Sequence, residues 1–132
     1  MAKAPPPRLQ SWLASLAMLE PTEGPISARR LFGGWGIFCD RGMFALVSDE
    51  ELYFKADERN RETFSAAGSA PFTYMGKGRP KTLSYWRCPD PGPDDPETLL
   101  HYAGLGIAAA GRAAASKRPK SGGSLGRIRE RE

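Results

Sequence analysis

The chain is short of the side chains that most enzymes and metalloproteins rely on. Its 132 residues include one histidine, His101, and two cysteines, Cys39 and Cys88. A structural or catalytic metal site takes several Cys, His or carboxylate ligands at workable spacing. The two cysteines stand far apart in sequence with no partner motif, so no metal is expected. Two cysteines also exclude a disulfide framework. They are expected to be reduced thiols that act as small strand-end hydrophobes. No stretch approaches the ~18 apolar residues of a membrane-spanning helix. The opening Met-Ala-Lys-Ala-Pro-Pro-Pro lacks the apolar run of an export signal. The expected address is the cytoplasm. His101 falls on a predicted helix with no nucleophile beside it, so no catalytic set is expected and the chain reads as a non-enzyme without a cofactor.

Glycine clusters offer no phosphate site either. Gly33-Gly34-Trp35-Gly36 leads into a strand-like run and supplies no helix N-terminus for an anion. Its glycines point to a bulge or a close approach of two backbones. Gly76-Lys77 lacks the preceding glycine and the following Ser or Thr of a Walker loop. Gly104-Leu105-Gly106 sits inside a predicted helix with no strand before it. The acidic runs at 49–51 and 57–58 fall at turns or a helix start, where solvation and capping account for them.

Hydrophobic residues make up 40% of the chain and charged residues 26%, enough for one core with polar ends. The net charge of +4 is unevenly placed. From Arg112 to Glu132 there are seven Lys and Arg against two Glu, a net of +5, which leaves a net of −1 for residues 1–111. The basic character thus belongs to a tail. Residues 1–7 are Pro-rich and 116–132 have no apolar periodicity, so both ends are expected to be disordered. The folded unit is expected over 8–115.

Leu9, Trp12, Leu13, Leu16 and Leu19 recur at helical spacing, with Pro21 as the stop and a loop through Pro25. Residues 28–56 alternate aromatic and β-branched runs with short turns, which predicts a four-stranded antiparallel meander. In its last run Leu52 and Phe54 share one face, and Glu51, Tyr53 and Lys55 the other. A helix is expected over 57–67, capped by Asp57 and ended by Gly68. Strands are expected at 72–75 and 82–87, joined by a turn over 76–80. Asp95 caps a last helix with Pro96 at its first position and Leu100, Ala103, Ile107 and Ala110 on its buried stripe. The order α-β4-α-β2-α predicts an α+β, two-layer domain: an antiparallel sheet with helices packed on it. Phe32, Leu46, Leu52, Phe54 and Leu83 are the expected core.

One constellation points to binding. Arg29, Arg30, Lys77, Arg79, Lys81 and Arg87 sit among Phe32, Trp35, Tyr74, Tyr85 and Trp86. Basic residues interleaved with aromatics on a sheet suit an acidic partner or single-stranded nucleic acid. The water-facing side of an ordinary antiparallel sheet carries such residues too. Any nucleic-acid binding is expected to be weak, non-specific and carried mainly by the tail, which can neutralise phosphates but reads no bases.

The run Ala28-Arg29-Arg30-Leu31-Phe32-Gly33-Gly34-Trp35-Gly36-Ile37-Phe38 resembles the opening of the TfoX N-terminal domain of the TfoX/Sxy proteins. The similarity continues at Met43-Phe44-Ala45-Leu46-Val47, at Glu51 to Asp57, at Pro71-Phe72-Thr73-Tyr74 and at Ser84-Tyr85-Trp86-Arg87, covering roughly 8–112. The resemblance implies a two-layer fold with an antiparallel sheet. It also implies a link to natural competence, since full-length relatives act on DNA-uptake genes alongside the cyclic-AMP receptor protein. Those relatives carry a second, C-terminal domain, whereas here a short basic tail follows residue 115, so a stand-alone domain is expected. Three readings stay open: a regulatory module that binds a protein of the transcription machinery, a nucleic-acid binder, and a small-molecule binder or enzyme with an unrecognised pocket. The oligomeric state is not legible.

Overall fold

A computed structural model describes residues 5–31 and 33–117. Phe32 and the basic residues from Arg118 onward lie outside the described residues, and so do most of the expectations placed on the tail. The elements run α1 (Pro7–Leu16), a 3-10 turn (Ala17–Leu19), α2 (Glu20–Glu23), β1 (Ser27–Leu31), β2 (Gly34–Cys39), β3 (Gly42–Ser48), β4 (Glu51–Lys55), α3 (Arg61–Ala66), β5 (Pro71–Gly76), β6 (Arg79–Arg87) and α4 (Pro96–Lys117). The α+β order expected from the sequence is present, and the expected boundary at 115 falls in the last turn of α4.

Local chemistry sets most of these boundaries. Pro21 does not end the first helical region. It lies in the first turn of α2, where its missing N–H has no partner to lose. Gly24 then breaks the chain away at φ +83°. The β3–β4 and β5–β6 connections are two-residue hairpins with both central residues at positive φ: Asp49 (+49°) and Glu50 (+64°), then Lys77 (+54°) and Gly78 (+77°). Such turns match the right-handed twist of the strands they join. The second turn is tighter than the expected span of 76–80, so Arg79 and Pro80 belong to β6.

Asp57 also does something other than expected. Its carboxylate accepts the N–H groups of Arg59 and Asn60, closing a turn ahead of α3 and not capping that helix directly. Asn60, only 3% exposed, returns the bond through Oδ1 and donates Nδ2 to the carbonyls of Lys55 and Leu105. Arg112 on α4 donates to both Asp57 oxygens at 2.6 and 2.9 Å. The turn is thereby fastened to α4. Asp95 caps α4 as expected, its Oδ2 accepting Thr98 N–H and hydroxyl.

The six strands form one antiparallel sheet in the order β1-β2-β3-β4-β6-β5. Because β6 pairs with β4, the earlier strand β5 is pushed to the edge. Directly paired residues share a face, so register divides the sheet in two. Ala28, Ile37, Ala45, Phe54 and Trp86 face one way, together with Trp35, Val47 and Leu52. All of these join one apolar cluster with Leu9, Trp12 and Leu16 of α1, Phe64 of α3, and Leu99, Ala103, Ile107 and Ala110 of α4. The helices therefore cover this face. An irregularity in the β2–β3 register at Ile37/Phe38 lets Phe44 and Ala45 both become fully buried.

Two glycines permit close approaches, one between helix and sheet and one between neighbouring strands. A Cβ on Gly106 would stand 2.8 Å from the Phe44 carbonyl oxygen and 3.2 Å from the Phe54 Cβ, so α4 presses against β3 and β4 at a range only glycine permits. A Cβ on Gly34 would collide with the Val47 carbonyl oxygen, which is the close backbone approach expected of the glycine-rich run.

The expected core needs correcting. Leu52 and Phe54 are fully buried in it. Leu46 is buried but pairs with Tyr53, and Leu83 has the parity of Tyr85, which pairs with Lys55. Both leucines therefore lie on the opposite face, and Leu83 is only half-buried. Period-two alternation carries them there, because an odd shift of register moves a residue to the other side.

Candidate functional site

The second face of the sheet has no helix over it among the described residues. By register it carries Arg29 on β1, Leu46 on β3, Glu51, Tyr53 and Lys55 on β4, Tyr74 on β5, and Arg79, Lys81, Leu83, Tyr85 and Arg87 on β6. Apolar residues thus occupy both parities of the same strands. Where helices cover one parity, the other is left as an apolar surface facing water.

That surface is shaped into a groove of about 300 Å³ lined by Met43, Leu46, Val47, Ser48, Phe72, Tyr74, Leu83 and Tyr85. Its aromatic walls are packed among themselves. Tyr53 meets Phe72 edge-on at 5.0 Å, and Phe72 lies nearly parallel to Tyr74 at 6.1 Å. The Lys55 ammonium sits 5.1 Å over the Tyr85 ring, and the Arg29 guanidinium 3.9 Å over the Phe38 ring. The Tyr85 hydroxyl donates to the Met43 carbonyl at 3.4 Å. Burial pushes the Tyr85 phenol up to about 12 and raises that of Tyr53 as well.

The β5–β6 hairpin forms one wall and reaches beyond the sheet. β4 pairs with β6 at 85–87, with backbone bonds from Ala56 to Ser84 and from Cys88 to Leu52 at its two ends, while residues 79–82 of β6 pair with β5 alone. The projecting part is a two-stranded arm. Residues 71–87 contain Lys77, Arg79, Lys81 and Arg87 and no carboxylate. Lys77, Arg79 and Lys81 are exposed. Among the described residues no carboxylate forms an ion pair with any of the four.

The nine residues singled out from the sequence do not form a single surface. Arg29, Arg79, Lys81, Tyr85 and Arg87 share the open face, and Lys77 stands at the hairpin tip. Trp35 and Trp86 point to the helix-covered face, Trp35 only 8% exposed, and Arg30 lies on that side with its guanidinium 5.6 Å from the Trp35 ring. Sequence reasoning passed over the groove's apolar lining, Met43, Leu46, Phe72 and Leu83. The available signal was the doubled parity, since Leu46 with Val47 and Leu52 with Tyr53 place large apolar side chains on both faces.

Both cysteines and the histidine lie outside the groove's lining. Cys39 and Cys88 are buried and unbridged. Burial raises both thiols, that of Cys88 to about 12, which leaves little thiolate at neutral pH. His101 is exposed and packs edge-on against the Tyr102 ring at 4.7 Å. Among the described residues no helix is long and apolar enough to cross a membrane, and no three His, Cys, Asp or Glu side chains gather in a way that could hold a metal ion.

Comparison with known proteins matches residues 17–110 to the family model described as the TfoX N-terminal domain. Similar proteins include Protein Sxy of Escherichia coli (strain K12), 37% identical over 78 residues that make up 59% of this chain and 34% of that protein. Another is DNA transformation protein TfoX1 of Aliivibrio fischeri, 30% identical over 77 residues, 58% of this chain and 37% of that protein. The match thus spans only about a third of the length of either relative.

Proposed function

The chain belongs to the TfoX N-terminal domain family, and on that premise we propose that it is a non-enzymatic regulatory module which acts in the control of DNA uptake by binding another protein, a component or regulator of transcription. The observation that carries this reading is the uncovered sheet face. An apolar groove with cations along its hairpin side, Glu51 beside Ser48 at the β3–β4 turn and no described helix over it has the makeup of a contact surface, an apolar centre inside a polar rim. The relative named for DNA transformation supports the process, and its match covers 58% of this chain. Deep burial of both thiols supports a role without covalent chemistry.

The test is genetic. Deleting the gene in its source organism should lower transcripts of DNA-uptake genes, and a plasmid copy should restore them. A copy carrying Arg79→Glu and Lys81→Glu should restore them poorly while accumulating to the same level. Unchanged transcripts in the deletion strain would overturn the proposal.

A second reading, weak nucleic-acid binding, is supported by the cations of the hairpin arm and by five further Lys and Arg in 118–132. Titrating duplex and single-stranded DNA with the full chain and with a chain ending at Lys117 separates their contributions. Binding carried by the tail disappears on truncation and falls steeply with salt.

A further inference from the structure

The reading above names a protein partner, and the groove carries its chemistry one step further. We propose that the groove beside the β5–β6 hairpin holds an acidic segment of the partner that is rich in aliphatic side chains, with Leu- or Ile-like residues in the groove and carboxylates on the hairpin arm. The inference rests on the protein-binding reading and deepens it.

Charge complementarity identifies the occupant. The arm presents Lys77, Arg79 and Lys81, Arg87 stands at its root where β6 joins β4, residues 71–87 contain no carboxylate, and among the described residues none of the four is in an ion pair. Complementary potential across an interface steers association and rejects partners of like charge. Beside the arm, Met43, Leu46 and Leu83 give the groove an aliphatic lining. A segment that answers both must combine apolar side chains with negative charge.

The same observations disfavour the other occupants. The chain's own residues 118–132 carry five Lys and Arg against two Glu, so they match the arm in sign. A second copy docked by two-fold symmetry would bring two cationic arms together, because such an interface uses one patch twice. Single-stranded nucleic acid binds by stacking bases on free aromatic faces. Here the Tyr85 ring lies under Lys55 and Tyr53 meets Phe72 edge-on, so Tyr74, 41% exposed and stacked on Phe72, is the groove aromatic most open to a base, a single platform where a strand needs several.

The experiment uses the full chain and a short fluorescein-labelled peptide of Leu and Glu, read by anisotropy. Control peptides replace Glu by Gln, or Leu by Ser, and oligothymidine serves as the nucleic-acid probe. The Leu/Glu peptide should bind, more weakly as salt rises. Each control peptide should bind about tenfold more weakly, the scale of a few exposed charge pairs or one lost apolar anchor. The double variant Arg79→Glu, Lys81→Glu changes two exposed residues and should keep its unfolding midpoint. It should lose the Leu/Glu peptide and gain a Leu/Lys peptide, an exchange that mere loss of folding does not produce. Equal binding of the Leu/Glu peptide to wild type and double variant would overturn the inference. So would oligothymidine binding more tightly than the peptide and displacing it. If the peptide binds while transcripts ignore the gene's deletion, the regulatory reading falls and the groove's chemistry stands. If transcripts respond but the peptide does not bind, this inference alone falls.

Discussion

On the covered face of the sheet, Ile37, Ala45, Leu52 and Phe54 are sealed by helices whose backbone comes within glycine range of the strands. On the open face, Leu46 is almost equally buried at 2% exposure, yet no helix among the described residues lies over it. Burial of a single side chain therefore does not distinguish core from contact surface here. The distinction lies in what does the covering. One face is closed by backbone and neighbouring elements, which cannot yield cheaply, and the other by side chains such as Tyr53, Phe72, Leu83 and Tyr85, which can turn. The first arrangement favours stability and the second leaves room for a partner.

Mutation separates the two. Phe54→Ala should cost about 3 to 5 kcal/mol by urea denaturation, since it removes a fully buried ring from a site held on all sides. Leu83→Ala, on the half-buried open face, should cost under about 1 kcal/mol. Equal losses would show that both faces belong to one core.

Glycine substitutions sharpen the contrast. Gly106→Ala sets a methyl 2.8 Å from the Phe44 carbonyl oxygen and should cost about 1 to 3 kcal/mol as helix and sheet are forced apart. Gly36→Ala on the open face meets the Leu31 Cδ2 at 2.8 Å and the Met43 Sδ at 3.0 Å. Those are the ends of flexible side chains, so the same methyl should cost clearly less. Thermal midpoints of the two variants decide the order.

Smaller again is the fastening of the turn after β4. Arg112 beside Asp57 holds that carboxyl below its usual range, helped by the Arg59 and Asn60 N–H groups. A lowered folded-state value means stability that is present above the unfolded-state value, about 3.9 for Asp, and lost as pH falls through the lower folded-state value. Arg112→Ala should cost up to about 1 kcal/mol near neutral pH, since the pair is partly exposed, and less at pH 3. A cost that does not change with pH would show that Arg112 acts through its packing alone. The smallest effect belongs to the open face: Lys81→Glu should change stability by no more than about 0.5 kcal/mol, while weakening peptide binding.

The identity of the elements was legible because it rests on local signals. Leu9, Trp12 and Leu16 keep helical spacing, Asp95 and Pro96 announce α4, and the short turns force an antiparallel meander. Which face is covered was legible on β4, where Leu52 and Phe54 alternate with Glu51, Tyr53 and Lys55, but not on β3 and β6, where Leu46 and Leu83 lie on the open face. Trp35 and Tyr85 read alike in sequence, as aromatics among arginines and lysines, yet one lies beneath the helices and the other lines the groove. That choice depends on where α1 and α4 land and on β6 inserting beside β4, and both are long-range events with no local signature. The candidate surface was accordingly legible in its charges, Arg79, Lys81 and Arg87, and illegible in its apolar floor.

The insertion of β6 also orders the molecule in time. β1 to β4 are joined by short turns, so each pairing closes a small loop, and β5 with β6 closes another on its own. Joining the two blocks must bring Tyr85 to Lys55 across the whole of α3 and β5, a slower closure than any hairpin. The joint is short, running from 52–56 on one strand to 84–88 on the other, and it leaves 79–82 outside it. Amide protons in the outer part of the hairpin should therefore exchange with solvent well before those of β2 and β3, as one cooperative unit. The arm that carries the cations is then also the part of the sheet that opens first.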